Sequence, residues 1–335
     1  MKIFQLILVF GLLVTASVAQ SFNSEHFTIE KLDDGIYAAI HKTGGYAICN
    51  SGIIDLGNET LIFDCFISPK AEKDLKKAAE ELTGNEVKYV VNSHFHNDHV
   101  RGNQIFVDAQ IISTKRTAEL IEEIAPEELE WEAKVIDHRI ETTTQKLAEE
   151  TDPFKLEELK MWMGYYQAIK ESQGSYKITL PNTFIKDTLV INGNKRELIL
   201  FTKGKGHTES DIVLWLPEVK ILFASDLLFV DCHPWLGDGF PEDWIRYLQD
   251  LQKLNAQSIV PGHGPLGSNE DMNNMINYIN TINSIVDNSI EAKLTEEEIK
   301  QTQIPEEYKE WWFSRFFIPN LVIQYDLKTK ENNDN

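Results

Sequence analysis

The sequence predicts an α/β protein whose strands converge on one chemically active edge, and three observations carry that expectation. Short apolar or β-branched runs recur along the chain, separated by turn pairs such as Asp34-Gly35 and Gly57-Asn58. Stretches with amphipathic helical spacing stand between two such series. Strand after strand ends in a histidine or an aspartate. Period-two and period-3.6 patterning in alternation indicates strands joined by helices.

The chain opens MKIFQLILVFGLLVTASVAQ, with Lys2, an apolar run over 3–14 and small residues up to Ala19. This is the form of a secretory signal, with cleavage expected after Ala19, so the product is expected to be secreted or periplasmic. The run is shorter than the ~20 residues that span a bilayer, so no stable membrane insertion is expected. Losing this segment would leave 316 residues and, with Lys2 gone, move the net charge from −21 to −22. A surface that acidic repels polyanions, which argues against nucleic acid as a partner and favours a small-molecule substrate.

Four strand-like runs follow over 27–65 (FTIEKL, GIYAAIH, SGIIDL, TLIFDC) and read as an antiparallel meander. An amphipathic helix over 68–82 and a buried strand, VKYVVNS, come next. That strand delivers SHFHNDH at 93–99, three of the nine histidines of the chain within one short stretch. Such a position, at the carboxyl end of a strand, is where α/β proteins place their chemistry.

Between the two strand series, about 126–173, lies a Glu- and Lys-rich segment. Leu129, Ala133, Ile136, Ile140 and Leu147 share one helical face, and Leu156, Leu159, Met163 and Tyr166 another, with Asp152-Pro153 placed as cap and first residue of the second helix. The segment predicts an inserted helical hairpin. Its tryptophans and tyrosines are expected chiefly to pack the two helices together, the other reading being that the hairpin overhangs the site.

The second series is RELILFT followed by GKGHTES, then DIVLWLP, then VKILFAS followed by Asp226, a helix near 242–254, and QSIV followed by PGHG. Two further helix starts, Ser268-x-x-Asp271 and Thr295-x-x-Glu298, have capping-box form. The aromatic stretch over 304–325 would be costly to expose and is expected to pack on the domain or on a second subunit. A homodimer would form through it or through the helical insertion. Cys49, Cys65 and Cys232 are too few and too scattered for a disulfide framework, and each is expected to be a buried small hydrophobe.

Imidazole and carboxylate are the ligands that zinc and similar divalent metals prefer, and a catalytic site keeps one position open for water. His94, His96, Asp98, His99, His207, Asp226 and His263 therefore form the candidate ligand set. HFHNDH, GHTESD, the isolated Asp226 and PGHG, in that order and at strand ends, resemble the metallo-β-lactamase superfamily over 29–263. The resemblance implies an αββα sandwich, here with an inserted helical hairpin and a helical C-terminal extension. It divides the chain into a signal peptide over 1–19, the metallo-β-lactamase-like domain over 20–285, and the extension with its polar tail over 286–335.

The resemblance further implies two Zn²⁺, with iron or manganese as substitutes: His94, His96 and His207 hold the first, Asp98, His99 and His263 the second, and Asp226 bridges them. This is the pattern of the lactonase and glyoxalase-like branches. In true β-lactamases of the family the position of Asp226 is usually Cys or Ser, so this chain departs from them there. The implied activity is an exported, dinuclear, zinc-dependent hydrolase using a metal-bridging hydroxide, oriented by Asp98, to cleave an ester, lactone, thioester or β-lactam bond. The competing expectations are a mononuclear iron dioxygenase of the same fold and a metal-stabilised binding protein without turnover. His233, Trp235 and Arg101 are the candidate substrate contacts, and Ser93, Thr208 and Ser210 the candidates for orienting the imidazoles.

Overall fold

A computed structural model of the protein describes residues 22–334. The segment expected to direct export, 1–19, lies outside the described residues. No helix among the described residues is long and apolar enough to cross a membrane.

Strands β1 (Phe27–Asp33), β2 (Ile36–His41), β3 (Ser51–Asp55) and β4 (Thr60–Phe63) form the expected antiparallel meander. Helix α1 (Pro69–Thr83) crosses to β5 (Val87–Val91), which pairs parallel to β4. Ser68 starts α1 by accepting the Lys70 N–H, and Gly84, at φ 73°, ends it in the left-handed region that glycine adopts freely. After the short helix α2 (Asn97–Val100) and a 3-10 turn, β6 (Gln110–Thr114) adds parallel to β5, and β7 (Thr183–Ile185) closes a seven-stranded sheet.

Helices α3 (Lys115–Glu149) and α4 (Pro153–Ser172) make the hairpin. The hairpin begins at Lys115 instead of the expected Pro126. Thr114 starts it by accepting the Thr117 N–H, and Ala118, Leu120 and Ile121 bury on the domain, so packing carries the helix through Pro126, which is exposed. Asp152 caps α4 as its sequence predicts, accepting the Phe154 and Lys155 N–H groups.

The second sheet holds β8 (Thr188–Asn192), β9 (Glu197–Thr202), β10 (Ile212–Leu216), β11 (Ile221–Phe229) and β12 (Ser258–His263) in the order β12-β11-β10-β9-β8, antiparallel except for β11 with β12. Helices α5 (Pro241–Gln252), α6 (Asn269–Glu291), α7 (Glu296–Ile299) and α8 (Phe317–Asp334) complete the chain. Both expected capping boxes form, Ser268 with Asp271 and Thr295 with Glu298.

The sheets stack face to face. Ile54, Leu61, Phe63 and Val91 of the first meet Leu198, Leu200, Phe223 and Val260 of the second. Alternate residues turn outward, Ile53 and Ile62 against Leu75 and Ala78 of α1, and Trp215 and Leu222 against Trp244, Leu248 and Tyr278 of α5 and α6. Period-two alternation with both faces covered by helices yields the αββα layering. Tyr308, Phe313, Phe317 and Leu321 join the outer core of the second sheet, which gives the aromatic C-terminal segment its covering within this chain.

Candidate metal centre

All seven candidate ligands gather at one edge of the sandwich. His94 follows β5, and the α2 turn presents Asp98 and His99. His207 lies in the turn between β9 and β10, Asp226 lies on β11, and His263 ends β12. A register shift at Ser225, whose φ is 48°, separates Asp226 from the regular ladder of β11 with β12. Gly262 faces it across that ladder; a Cβ there would lie 1.8 Å from Asp226 Oδ1, so the carboxylate requires glycine at this position.

The two oxygens of Asp226 face two different groups of ligands. Oδ2 is 3.3 Å from His207 Nε2 and 3.7 Å from His94 Nε2, and His207 Nε2 is 3.0 Å from His96 Nδ1. Oδ1 is 3.1 Å from His99 Nε2 and 3.4 Å from His263 Nε2, while Asp98 Oδ2 lies 3.6 and 3.4 Å from the same two nitrogens. Each group therefore presents nitrogens and carboxylate oxygens to one common point.

Four of the five imidazoles are held from behind. His94 Nδ1 meets Ser93 Oγ at 2.9 Å, His99 Nδ1 meets Asp64 Oδ2 at 3.0 Å, His263 Nδ1 meets the Ile48 carbonyl at 3.0 Å, and His96 Nε2 meets Asp238 Oδ2 at 3.1 Å. Occupying one ring nitrogen in this way fixes the orientation of the other. Of the hydroxyls proposed from sequence for this task, Ser93 performs it. Thr208 Oγ1 instead donates locally to Asp211 Oδ1, and Ser210 Oγ to Thr114 Oγ1 at the start of α3, both away from the imidazoles.

His94 Nε2, His99 Nε2 and Asp226 Oδ1 are buried without a hydrogen-bond partner. Buried polar atoms are nearly always paired, so orphans facing one another mark where a cation fits. The donor chemistry agrees, since imidazole and carboxylate suit zinc, iron and manganese alike. The electrostatics are uneven. Burial works against protonating His99, but the Asp226, Asp98 and Asp64 carboxylates outweigh it and raise its pKa well above the ordinary value. For His94 burial dominates, aided by His99, and its pKa falls well below. Burial opposes ionisation of Asp226, yet His99 and His263 hold its pKa well below the carboxylate range.

The ligands floor a cleft of about 360 Å³. Its walls are Phe95 from the histidine loop, Ile124 and Glu128 of α3, Trp162 and Tyr165 of α4, and Trp235, Phe313 and Phe316. The hairpin thus overhangs the site and does more than pack its own helices, while Trp131 points to solvent on α3. No Lys or Arg lines the cleft; Glu128 and Asp238 add negative charge beside Asp98 and Asp226.

Among the substrate contacts expected from sequence, Trp235 borders the cleft, its Nε1 donating to Asp238. The other two are corrected. Arg101 is buried, with Nη2 at 2.9 Å from Glu132 and 3.2 Å from Glu128, so it bolts the metal loop to α3. His233 is fully buried behind the cleft, bonded to the Tyr278 hydroxyl and the Tyr308 carbonyl. Asp64, Asp238, Tyr165 and Phe313 are site residues that the motifs do not contain. Only Asp64 carries a signal, as the aspartate that ends the apolar strand TLIF. The three cysteines are free and buried, as expected of small hydrophobes.

Comparison with known proteins agrees with this geometry. The family model described as the metallo-beta-lactamase superfamily matches residues 44–263. A metallo-beta-lactamase type 2 of Pseudomonas aeruginosa is 25% identical over 275 residues, covering 79% of this chain and 88% of that protein. One from Bacillus cereus is 38% identical over 72 residues, which is 20% of this chain and 28% of that one. Among solved structures, a metallo-beta-lactamase from Pontibacter korlensis aligns with a TM-score of 0.55 at 16% identity, covering 76% of this chain and 99% of that one.

Proposed function

The chain belongs to the metallo-beta-lactamase superfamily, and from that premise we propose that it is an exported, dinuclear zinc hydrolase acting on an uncharged ester, lactone or thioester. The observation that carries the proposal is Asp226, whose two oxygens each face a separate set of ligands. His94, His96, His207 and Asp226 Oδ2 would hold one ion; His99, His263, Asp98 and Asp226 Oδ1 the other. A mononuclear iron site built on His94, His96 and His207 leaves the second set without a use. When bound, a pair of zinc ions lowers the pKa of coordinated water toward neutrality and polarises the oxygen of the bond to be cut.

The protein's own groups do the rest. Asp98 sits at the start of α2 where the cleft meets the second set; Oδ2 would hold the second ion, which leaves the other carboxylate oxygen to accept a proton and pass it on. Asp64, Ser93, Asp238 and the Ile48 carbonyl keep four imidazoles aimed inward. Phe95, Trp162, Tyr165 and Trp235 exclude water and receive an apolar group. Asp98, Asp226 and Asp238 offset most of the charge of two divalent cations, Glu128 is paired with Arg101, and no basic side chain lines the cleft. This charge balance favours neutral substrates over carboxylate-bearing β-lactams, and the similarity to metallo-beta-lactamases makes β-lactams an obligatory comparison.

The test is proton release in a pH-stat by the zinc-loaded protein on neutral esters, lactones, thioesters and β-lactams, with chelated and Asp98→Asn proteins alongside. Expected is chelator-sensitive release on a neutral class, lost in Asp98→Asn while the metal is retained. Release no faster than that of the chelated protein on every class would overturn the proposal.

A further inference from the structure

Phe313 stands between two cavities. It lines the metal cleft and also a second, mainly apolar cavity of about 340 Å³ walled by Ile40, His41, Met161, Cys232 and Trp312. It is the residue the two linings share. Its ring is buried, edge-on to the ligand His263 at 5.1 Å and 89°, and it packs on Trp162 at 5.4 Å and Phe316 at 5.8 Å. The ring therefore forms the partition where the cleft would otherwise continue past His263.

The backbone is committed to this placement. Phe313 has φ 61° and ψ 32°, a left-handed conformation that is an outlier for a bulky residue. Such a conformation persists only where the surroundings over-determine it. Here the Trp312 N–H donates to the Asp231 carbonyl at 2.8 Å, the Trp312 carbonyl accepts from the His233 N–H at 2.8 Å, and the Ser314 N–H donates to Glu158 at 2.8 Å. Hydrogen bonds on both sides hold the turn, and the turn drives the ring inward.

We propose that Phe313 determines specificity by limiting the length of apolar chain that the metal cleft accepts, so that the substrate is an acyl ester or thioester with a short apolar arm. The proposal rests on the hydrolase reading above. Removing the ring joins the two cavities along the line of a bound chain, and longer arms then thread past His263.

The experiment compares the zinc-loaded native protein with Phe313→Gly, a substitution that suits the positive φ, on p-nitrophenyl esters from butyrate to decanoate. Phe313→Asn, which also tolerates that backbone, serves if the glycine variant does not fold. The ratio of kcat/KM for decanoate to that for butyrate should rise by about tenfold or more in the variant, the scale on which pocket size discriminates between chains. An unchanged ratio would overturn the proposal. Should the native protein hydrolyse none of the esters, the hydrolase reading fails, and n-alkyl hydroxamates titrated calorimetrically into the same zinc-loaded proteins still decide about Phe313. Affinity that stops rising with chain length in the native protein but continues to rise in the variant supports the partition; parallel profiles overturn it.

Discussion

Asp64 and His99 meet at 3.0 Å, Oδ2 to Nδ1, with neither side chain reaching solvent. The same carboxylate accepts the Ser93 N–H at 2.7 Å, the Ser93 hydroxyl at 2.8 Å and the Ser225 hydroxyl at 2.6 Å. One residue at the end of β4 therefore ties together the two strands that carry His94 and Asp226 and aims a third ligand.

Replacing Asp64 separates structure from metal binding. Asp64→Ala strands several buried donors at about 1–3 kcal/mol each, so unfolding free energy should fall by about 4 kcal/mol or more. Asp64→Asn keeps an accepting oxygen and tolerates the φ of 61° at this position. Its stability should change less, while zinc affinity drops about 10–100-fold as His99 loses its charged support. Chelator-competition titration and denaturant unfolding read the two effects; an alanine variant with native affinity would refute the role given to Asp64.

Metal should also stabilise the fold. His94 Nε2, His99 Nε2 and Asp226 Oδ1 are buried without partners, and a cation that binds them in the folded state alone stabilises it by mass action. At a thousandfold excess over Kd the gain is about 4 kcal/mol, which corresponds to a rise in Tm of about 6 °C for a chain of this size. Calorimetry with zinc and with chelator checks the shift. Asp226→Ala should abolish most of it by removing the residue shared by both sets, and a shift of native size in that variant would contradict the assignment.

Arg101 is predicted to act in stability and not in substrate recognition. Its side chain is 2% exposed and that of Glu132 is 4%. Arg101→Met leaves Glu132 buried and unpaired, a loss of about 3–5 kcal/mol. Pairing it with Glu132→Leu removes the uncompensated charge, so most of that loss should return in the double variant. A single variant with native Tm but raised KM would restore the substrate-contact reading.

The ligand histidines and aspartates were legible because they stand at strand ends or in the short polar motifs that follow apolar runs, and such positions are a local property of the sequence. Depth is not local. Arg101 and His233 stand beside functional residues in sequence but point into the interior, Arg101 because α3 brings Glu128 and Glu132 to it, His233 because the C-terminal segment bridges Cys232 to Trp312 and covers it. The start of α3 was hidden for a related reason, since Thr114 and the burial of Leu120 and Ile121 decide it and Pro126 only looks like a boundary. β8 escapes notice because its residues alternate between exposed and half-buried at the sheet edge and its apolar run is only the three residues Leu189, Val190 and Ile191. Asp238 and Phe313 reach the site only through long-range packing that no motif records.

A last prediction concerns Glu72, in the first turn of α1. It is fully buried; Oε2 accepts the Phe66 N–H at 2.6 Å and Oε1 has no partner. Burial pushes its pKa up to about 8, only partly opposed by the Phe66 N–H. The folded state therefore holds a proton that the unfolded chain releases near 4.5. Between those two values the unfolded state binds fewer protons, so stability must fall as pH rises, by at most about 1.4 kcal/mol per pH unit from this group. Glu72→Gln keeps the shape and the acceptor for Phe66 while removing the titration. Denaturant unfolding between pH 5.5 and 8 should then show the native protein losing stability relative to the variant as pH rises, and parallel curves would mean that Glu72 is not protonated in the fold.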